Sequence, residues 1–239
     1  MQVTHRDRVV TWELNRPDQE NGLDISTLES MELSLTELER EAEQRVVCLL
    51  VVGHPTVFST GLDSDLLESC FADAVIFHEV VDRVNRVLDR LETLPLISIA
   101  CVEGPCRLGG LELALACDLI VAGESATLSD GHLAYDAMPG GGATRRLPAR
   151  LGYSGALRFI LQRETLSAAE AAKRGLVDEV VPTGQALLRG REIAVSVAAV
   201  HPSVVHGIKI SLRAAAPRVI TRTETEEFKR AVIDRLVRG

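Results

Sequence analysis

Aromatic side chains are scarce in this sequence: one Trp, two Tyr and five Phe make up 3% of 239 residues. A pocket walled mainly by aromatic rings is therefore not expected. Positive charge is also short, with 26 Lys and Arg against 34 Asp and Glu and a net charge of −8. A basic footprint for nucleic acid is excluded on that balance, and an anionic ligand would have to be met by a local basic cluster. No apolar run reaches the roughly 18 residues that suggest a membrane span. The charged, alternating start "MQVTHRDRVVTWELNRP" has no signal-peptide pattern. The five cysteines (Cys48, Cys70, Cys101, Cys106 and Cys117) form no CxxC pair. Their odd number and apolar settings predict reduced, mostly buried thiols in a cytoplasmic protein. Also missing are a GxGxxG turn, a P-loop, histidines at metal-ligand spacing and internal repeats. No metal site and no membrane or nucleic-acid partner is expected.

What is present is an alternation of strand and helix signals. "RVVTWEL" alternates like a strand, and "RVVCLLVVG" is the continuous β-branched run of a strand buried on both faces. Between them "ISTLESMELSLTELEREAEQ" carries apolar residues at helical spacing after a Ser/Thr start. A helix is expected from about Phe71 to Leu91, then a strand and turn in "PLISIACVEGPCRLGG", a helix in "LELALACD" and a strand in "LIVAGESATLS". The glycines and Arg-Arg of "PGGGATRRLPARLG" form a turn feeding a helix, and the last third is nearly all helix, "TETEEFKRAVIDRLVRG" included. Such alternation implies an α/β fold with parallel strands. The best boundary falls near Pro182, dividing an α/β core (1–182) from a helical C-terminal region (183–239).

Two glycine turns, "FSTGLD" and "RLGGLE", each stand at the mouth of a helix. Helix-start N–H groups are unpaired and carry partial positive charge, so two such turns aimed at one point can hold an oxyanion. Taken alone, the same glycines also read as nothing more than tight turns. Glu112 follows Gly109 by three residues among apolar neighbours, where a carboxylate acquires acid–base character through burial. It reads equally as an N-terminal helix charge. His132 lies four residues before Asp136, and an imidazole is the side chain suited to proton transfer near neutral pH.

Five motifs in order resemble the crotonase (enoyl-CoA hydratase/isomerase) superfamily, from about Val9 to Arg213. "LNRPDQENGLD" is similar to the family's early NRP…NAL loop, and "VFSTGLD" to its F-x-x-G-x-D loop. "VEGPCRLGGLELALACD" is similar to its GxxxGGGxELALACD block, "MPGGGATRRLPARLG" to its PGxGGTQRLPRxxG block, and "LSAAEAAKRGLVDEVVP" to its A-x-EA…GLV…VV block. The resemblance implies a crotonase-like α/β spiral core with a helical C-terminal region, assembled as a homotrimer or homohexamer. It implies an oxyanion hole from the N–H groups of Leu62 and Gly109, and a catalytic Glu112. The family's second catalytic Glu falls on His132, which is a departure. A Glu/His pair retains acid–base chemistry, and family members that cleave C–C bonds use a histidine in this region.

Substrate contacts implied by the resemblance are Arg16, Gly61, Gly110, Pro139, Gly140 and Lys209, the two basic residues being candidates for the nucleotide of coenzyme A. Coenzyme A would enter as part of an acyl-CoA substrate, with an acyl-carrier-protein thioester as the other possibility, and no separate cofactor. Asp136 reads either as a group that orients His132 or as a solvated carboxylate, with Tyr135 nearby. Asp63 is expected to cap a helix, Asp118 to accept structural hydrogen bonds, and Arg146 to form an ion pair or cap. The expected reaction is addition or removal of water at a 2,3-enoyl thioester. Two alternatives stay open: another reaction on the same scaffold (C–C hydrolysis, decarboxylation or a double-bond shift), and a non-catalytic binding subunit.

Overall fold

The computed structural model describes residues 1–41 and 46–215. The expected helix at "TETEEFKRAVIDRLVRG" lies outside them. Nine strands are seen in this range: β1 (Gln2–Arg6), β2 (Val9–Glu13), β3 (Cys48–Val52), β4 (Ile97–Val102), β5 (Pro105–Arg107), β6 (Leu119–Gly123), β7 (Thr127–Ser129), β8 (Thr165–Ser167) and β9 (Glu179–Val181). They form a six-stranded sheet in the order β1-β2-β3-β4-β6-β9 and a small sheet in the order β5-β7-β8. In the large sheet only β1 and β2 pair antiparallel.

The helices are α1 (Ile25–Glu41), α2 (Ser64–Ala72), α3 (Ala74–Thr93), α4 (Gly109–Ala116), α5 (Ala143–Leu161), α6 (Ala168–Lys173), α7 (Ala186–Ala198) and α8 (Pro202–Ala215). A repeating turn organises them. From β4 the chain passes to β5 in the small sheet and then to α4. From β6 it passes to β7 and then to a short 3-10 turn and α5. The first turn has the same shape: after β3, Ser59 bridges Cys106 of β5 before α2 begins. This is the spiral of two strands and a helix, and it brings the starts of successive helices to one region.

The continuous apolar runs make sense because the large sheet is covered on both faces. Leu49 and Val51 of β3 join the core beneath α1 and α3, whereas Cys48 and Leu50 face a second cluster with Ala186 and Ala194 of α7. β4 divides in the same way, Ala100 and Val102 on one side and Ile99 and Cys101 on the other. Period-2 geometry thus feeds two cores from one apolar run. Gly190 lets α7 lie close to the sheet, since a Cβ there would meet Cys101 Sγ at 2.5 Å. The single Trp is fully buried and donates from Nε1 to Ser34 Oγ at 2.8 Å. No single helix among the described residues is long and apolar enough to cross a membrane.

The helix expected from Phe71 to Leu91 is in fact two. Asp73 takes an extended backbone (φ −141°, ψ 116°), ends α2 and caps α3 by accepting from Val75 N. Phe71 belongs to α2. All five cysteines are free and buried. Burial pushes the Cys70 thiol up to about 11 and those of Cys48 and Cys101 up to about 12, and it raises Cys106 and Cys117 as well. Thiol labelling at pH 8 is therefore expected to be negligible in the native protein and complete only on unfolding. Rapid native labelling of any one thiol would contradict this burial.

Candidate active site

The early loop builds the first oxyanion candidate. Asn21, fully buried with φ +53°, donates from Nδ2 to the carbonyls of Val57 and Phe58. Ser59 Oγ donates to Asn21 O and accepts from Gly61 N. Leu23 N then donates to Gly61 O, and Asp63 N to Leu23 O, so the two loops run as a short parallel ladder on either side of Leu62. Asp63 caps α2 by accepting from Asp65 N at 3.0 Å, as the sequence suggested.

The second candidate is the start of α4. Leu108 stands at φ +53°, ψ −132°, a conformation that favours glycine, and it occupies the first of the family's three glycine positions. A strain of about 1–3 kcal/mol is stored there. The two turns abut. A Cβ on Gly61, itself at φ +87°, would lie 2.5 Å from Gly109 N, so only glycine permits this approach. Among the described residues, neither Leu62 N nor Gly109 N donates to a protein acceptor. Both residues line one cavity of about 120 Å³.

Glu112 sits one helical turn after Leu108 and Gly109, which places it on their face. It is 3% exposed and lines the same cavity. Its Oε1 accepts from Gly141 N at 2.7 Å and Ala143 N at 3.1 Å, bonds that favour the charged carboxylate. The turn that supplies these donors is itself braced: Asn85 Nδ2 donates to Gly140 O at 2.8 Å, and Arg146 to Gly141 O at 2.7 Å. Arg146 also pairs with Glu92 and Asp89, the structural ion pair expected of it.

His132 lines the cavity from the 3-10 turn His132–Tyr135. Its Nδ1 lies 3.0 Å from Asp130 Oδ1, a carboxylate that the sequence reading did not single out. An Asp-x-His spacing was the only local signal for it. Apolar side chains from α2 and α3, including Cys70, Phe77, Val81 and Val84, close the cavity. Two of the five phenylalanines, Phe71 and Phe77, and one of the two tyrosines, Tyr135, are among the lining residues. Aromatic rings are nonetheless a minority of the lining, most of which is aliphatic, glycine or polar.

Several expected substrate contacts lie elsewhere. Lys209 is 5% exposed, donates to Leu96 O at 2.8 Å and pairs with Asp118 at 2.7 Å. Burial pulls its ammonium below the ordinary value, against the attraction of Asp118. Arg16 donates to Gly22 O and pairs with Asp63 at 2.9 Å and Asp24 at 3.3 Å, which fastens the early loop to the α2 cap. Each basic group is consumed by internal partners. Of the remaining four, Gly140 lines the cavity. Gly61, Gly110 and Pro139 are not among the lining residues. Gly110 provides close approach instead, since a Cβ there would meet Ser59 O at 2.1 Å.

A spiral of strand–strand–helix turns that brings Leu62, Gly109, Glu112 and His132 to the lining of one apolar cavity defines a protein of the crotonase class. The enoyl-CoA hydratase/isomerase family profile matches residues 4–232, and the chain belongs to that family. It is 33% identical over 199 residues to the putative enoyl-CoA hydratase/isomerase YngF of Bacillus subtilis, covering 83% of this chain and 75% of that one. It is 32% identical over 212 residues to the 2,3-dehydroadipyl-CoA hydratase of Escherichia coli, covering 88% and 80%. Among solved structures, Pseudomonas aeruginosa DspI superimposes with a TM-score of 0.85 at 27% identity, over 99% of this chain and 93% of that one. The enoyl-CoA hydratase of Bacillus anthracis also gives 0.85, at 28% identity over 100% and 91%.

Proposed function

We propose that this protein adds or removes water at a 2,3-enoyl thioester. The observation that carries the reading is that Leu62, Gly109, Glu112 and His132 all line one cavity. In the addition direction, water gives a proton to Glu112 as its oxygen bonds to C3. The C2=C3 electron pair moves to C2 and onto the thioester oxygen, which accepts from Leu62 N and Gly109 N. His132, as imidazolium, then returns a proton to C2. Each oxyanion donor contributes about 10²–10³ in rate.

The acyl end should be short and apolar. The cavity is slightly smaller than the roughly 150 Å³ apolar cavity that accepts benzene, and no Lys or Arg is among its lining residues. A terminal carboxylate would be buried there with no lysine or arginine beside it, which costs several kcal/mol. Crotonyl-CoA or trans-2-hexenoyl-CoA is thus expected to lose its conjugated-thioester absorbance at a kcat/KM at least about 100-fold above that for 2,3-dehydroadipyl-CoA. Equal rates on the two six-carbon substrates would refute the apolar assignment. Absence of turnover with all three would refute hydration. A second reading, a double-bond shift, is favoured by one feature. His132 stands where the family has its second Glu, and a single base relaying a proton between two carbons needs no second carboxylate to activate water. Carriage on coenzyme A or on a carrier protein is compatible with both readings, and so is assembly as a trimer or hexamer.

A further inference from the structure

We infer that Asp130 is a positioning residue of this site, fixing His132 in the Nδ1-protonated tautomer, stabilising the imidazolium that forms in proton transfer, and tying the imidazole to the oxyanion loop. The inference takes its catalytic meaning from the proposed proton transfer at C2. Its structural content stands without it.

Asp130 is 2% exposed, and both of its carboxylate oxygens are directed at His132. Oδ1 lies 3.0 Å from Nδ1, and Oδ2 accepts from the His132 backbone N–H at 3.2 Å. Gly131, at φ +76°, reverses the chain between them and lets one short segment make both contacts. At 3.0 Å an unprotonated Nδ1 would set its lone pair against those of a buried carboxylate oxygen, so the contact requires a hydrogen on Nδ1. The neutral imidazole then carries its lone pair on Nε2, and proton exchange with substrate falls to that nitrogen. The backbone of the same residue reaches the other half of the site, because Asp130 O accepts from Leu108 N at 3.0 Å. Leu108 is the strained residue whose carbonyl side leads into the Gly109 amide. One residue thereby holds the imidazole with its side chain and the oxyanion turn with its main chain.

In the removal direction, Nε2 takes a proton from C2: the C–H bond breaks, an N–H bond forms, and the electron pair passes to the thioester oxygen held by Leu62 and Gly109. The resulting imidazolium faces the Asp130 carboxylate. The addition direction reverses each movement. A carboxylate behind an imidazole serves tautomer and charge together, and the known penalty for replacing it by an amide is large.

The test uses two readouts. With 15N-labelled imidazoles, at a pH where His132 is neutral, the wild-type protein should show hydrogen on Nδ1 and a lone pair on Nε2. Asp130→Asn keeps an oxygen for His132 N and turns its NH2 toward Nδ1, so the tautomer should invert. With crotonyl-CoA, Asp130→Asn should lower kcat by about 10²–10³ while KM stays within about threefold. In a His132→Gln background the same substitution should change activity by less than about twofold. A wild-type His132 protonated on Nε2 overturns the inference, and so does an equal loss in the His132→Gln background. If no thioester is turned over, the functional reading fails while the wild-type tautomer still decides the role of Asp130.

Discussion

Glu112→Gln is expected to lower crotonyl-CoA hydration by about 10²–10⁴, the range of a general acid–base group, and to leave the unfolding midpoint nearly unchanged. The amide oxygen can still accept from Gly141 N and Ala143 N, so the turn opposite α4 keeps its brace. Only the ability to take a proton is lost. Glu112→Ala separates the two roles. It removes the same chemistry but also leaves two buried N–H groups without an acceptor, at about 1–3 kcal/mol each. Activity lost in both variants, with stability lost only in the alanine variant, is the expected pattern. Retained activity in Glu112→Gln would remove Glu112 from the proton-transfer scheme and reduce it to a strut for the Gly140–Ala143 turn.

The second large effect concerns stability. Lys209→Met should destabilise the fold by about 3 kcal/mol, the low end for breaking a buried ion pair. The low end applies because the Asp118 side chain is 17% exposed and still accepts from Ser98 N and Ser98 Oγ. For a chain of this size that corresponds to a fall of roughly 6–12 °C in Tm. KM for an acyl-CoA, measured well below that temperature, should not move. A raised KM with an unchanged Tm would return Lys209 to the nucleotide-binding role its charge first suggested. The contrast matters because the lysine joins Leu96, at the entry to β4, and Asp118, at the entry to β6, to α8. Its removal unfastens α8 from the sheet rather than a ligand from the site.

The sequence by itself determined the architecture and the main residues that gather at the cavity. Helical and period-2 spacing are local properties, so the strand β3, the helix α1 and the alternation that forces a parallel sheet were all legible. The three-residue step from Gly109 to Glu112 was enough to place an amide and a carboxylate on one helix face. The family motifs then located His132 as the departure. Tertiary structure decided what local spacing cannot, namely which partner each charged group finds. Asp136 and Asp130 are both near His132 in sequence, and the turn at Gly131 brings Asp130 Oδ1 to 3.0 Å from its Nδ1. Lys209 meets Leu96 O across 113 positions, and Arg16 meets Asp63 across the two loops. A buried charge must be paired, but the chain lying nearest supplies the partner, and that depends on how the layers pack. The cavity wall follows the same logic. Phe77, Val81 and Val84 recur at helical spacing as any core face would. Only the packing of α2 and α3 over the start of α4 leaves that face opposite Glu112 instead of filling the space between them.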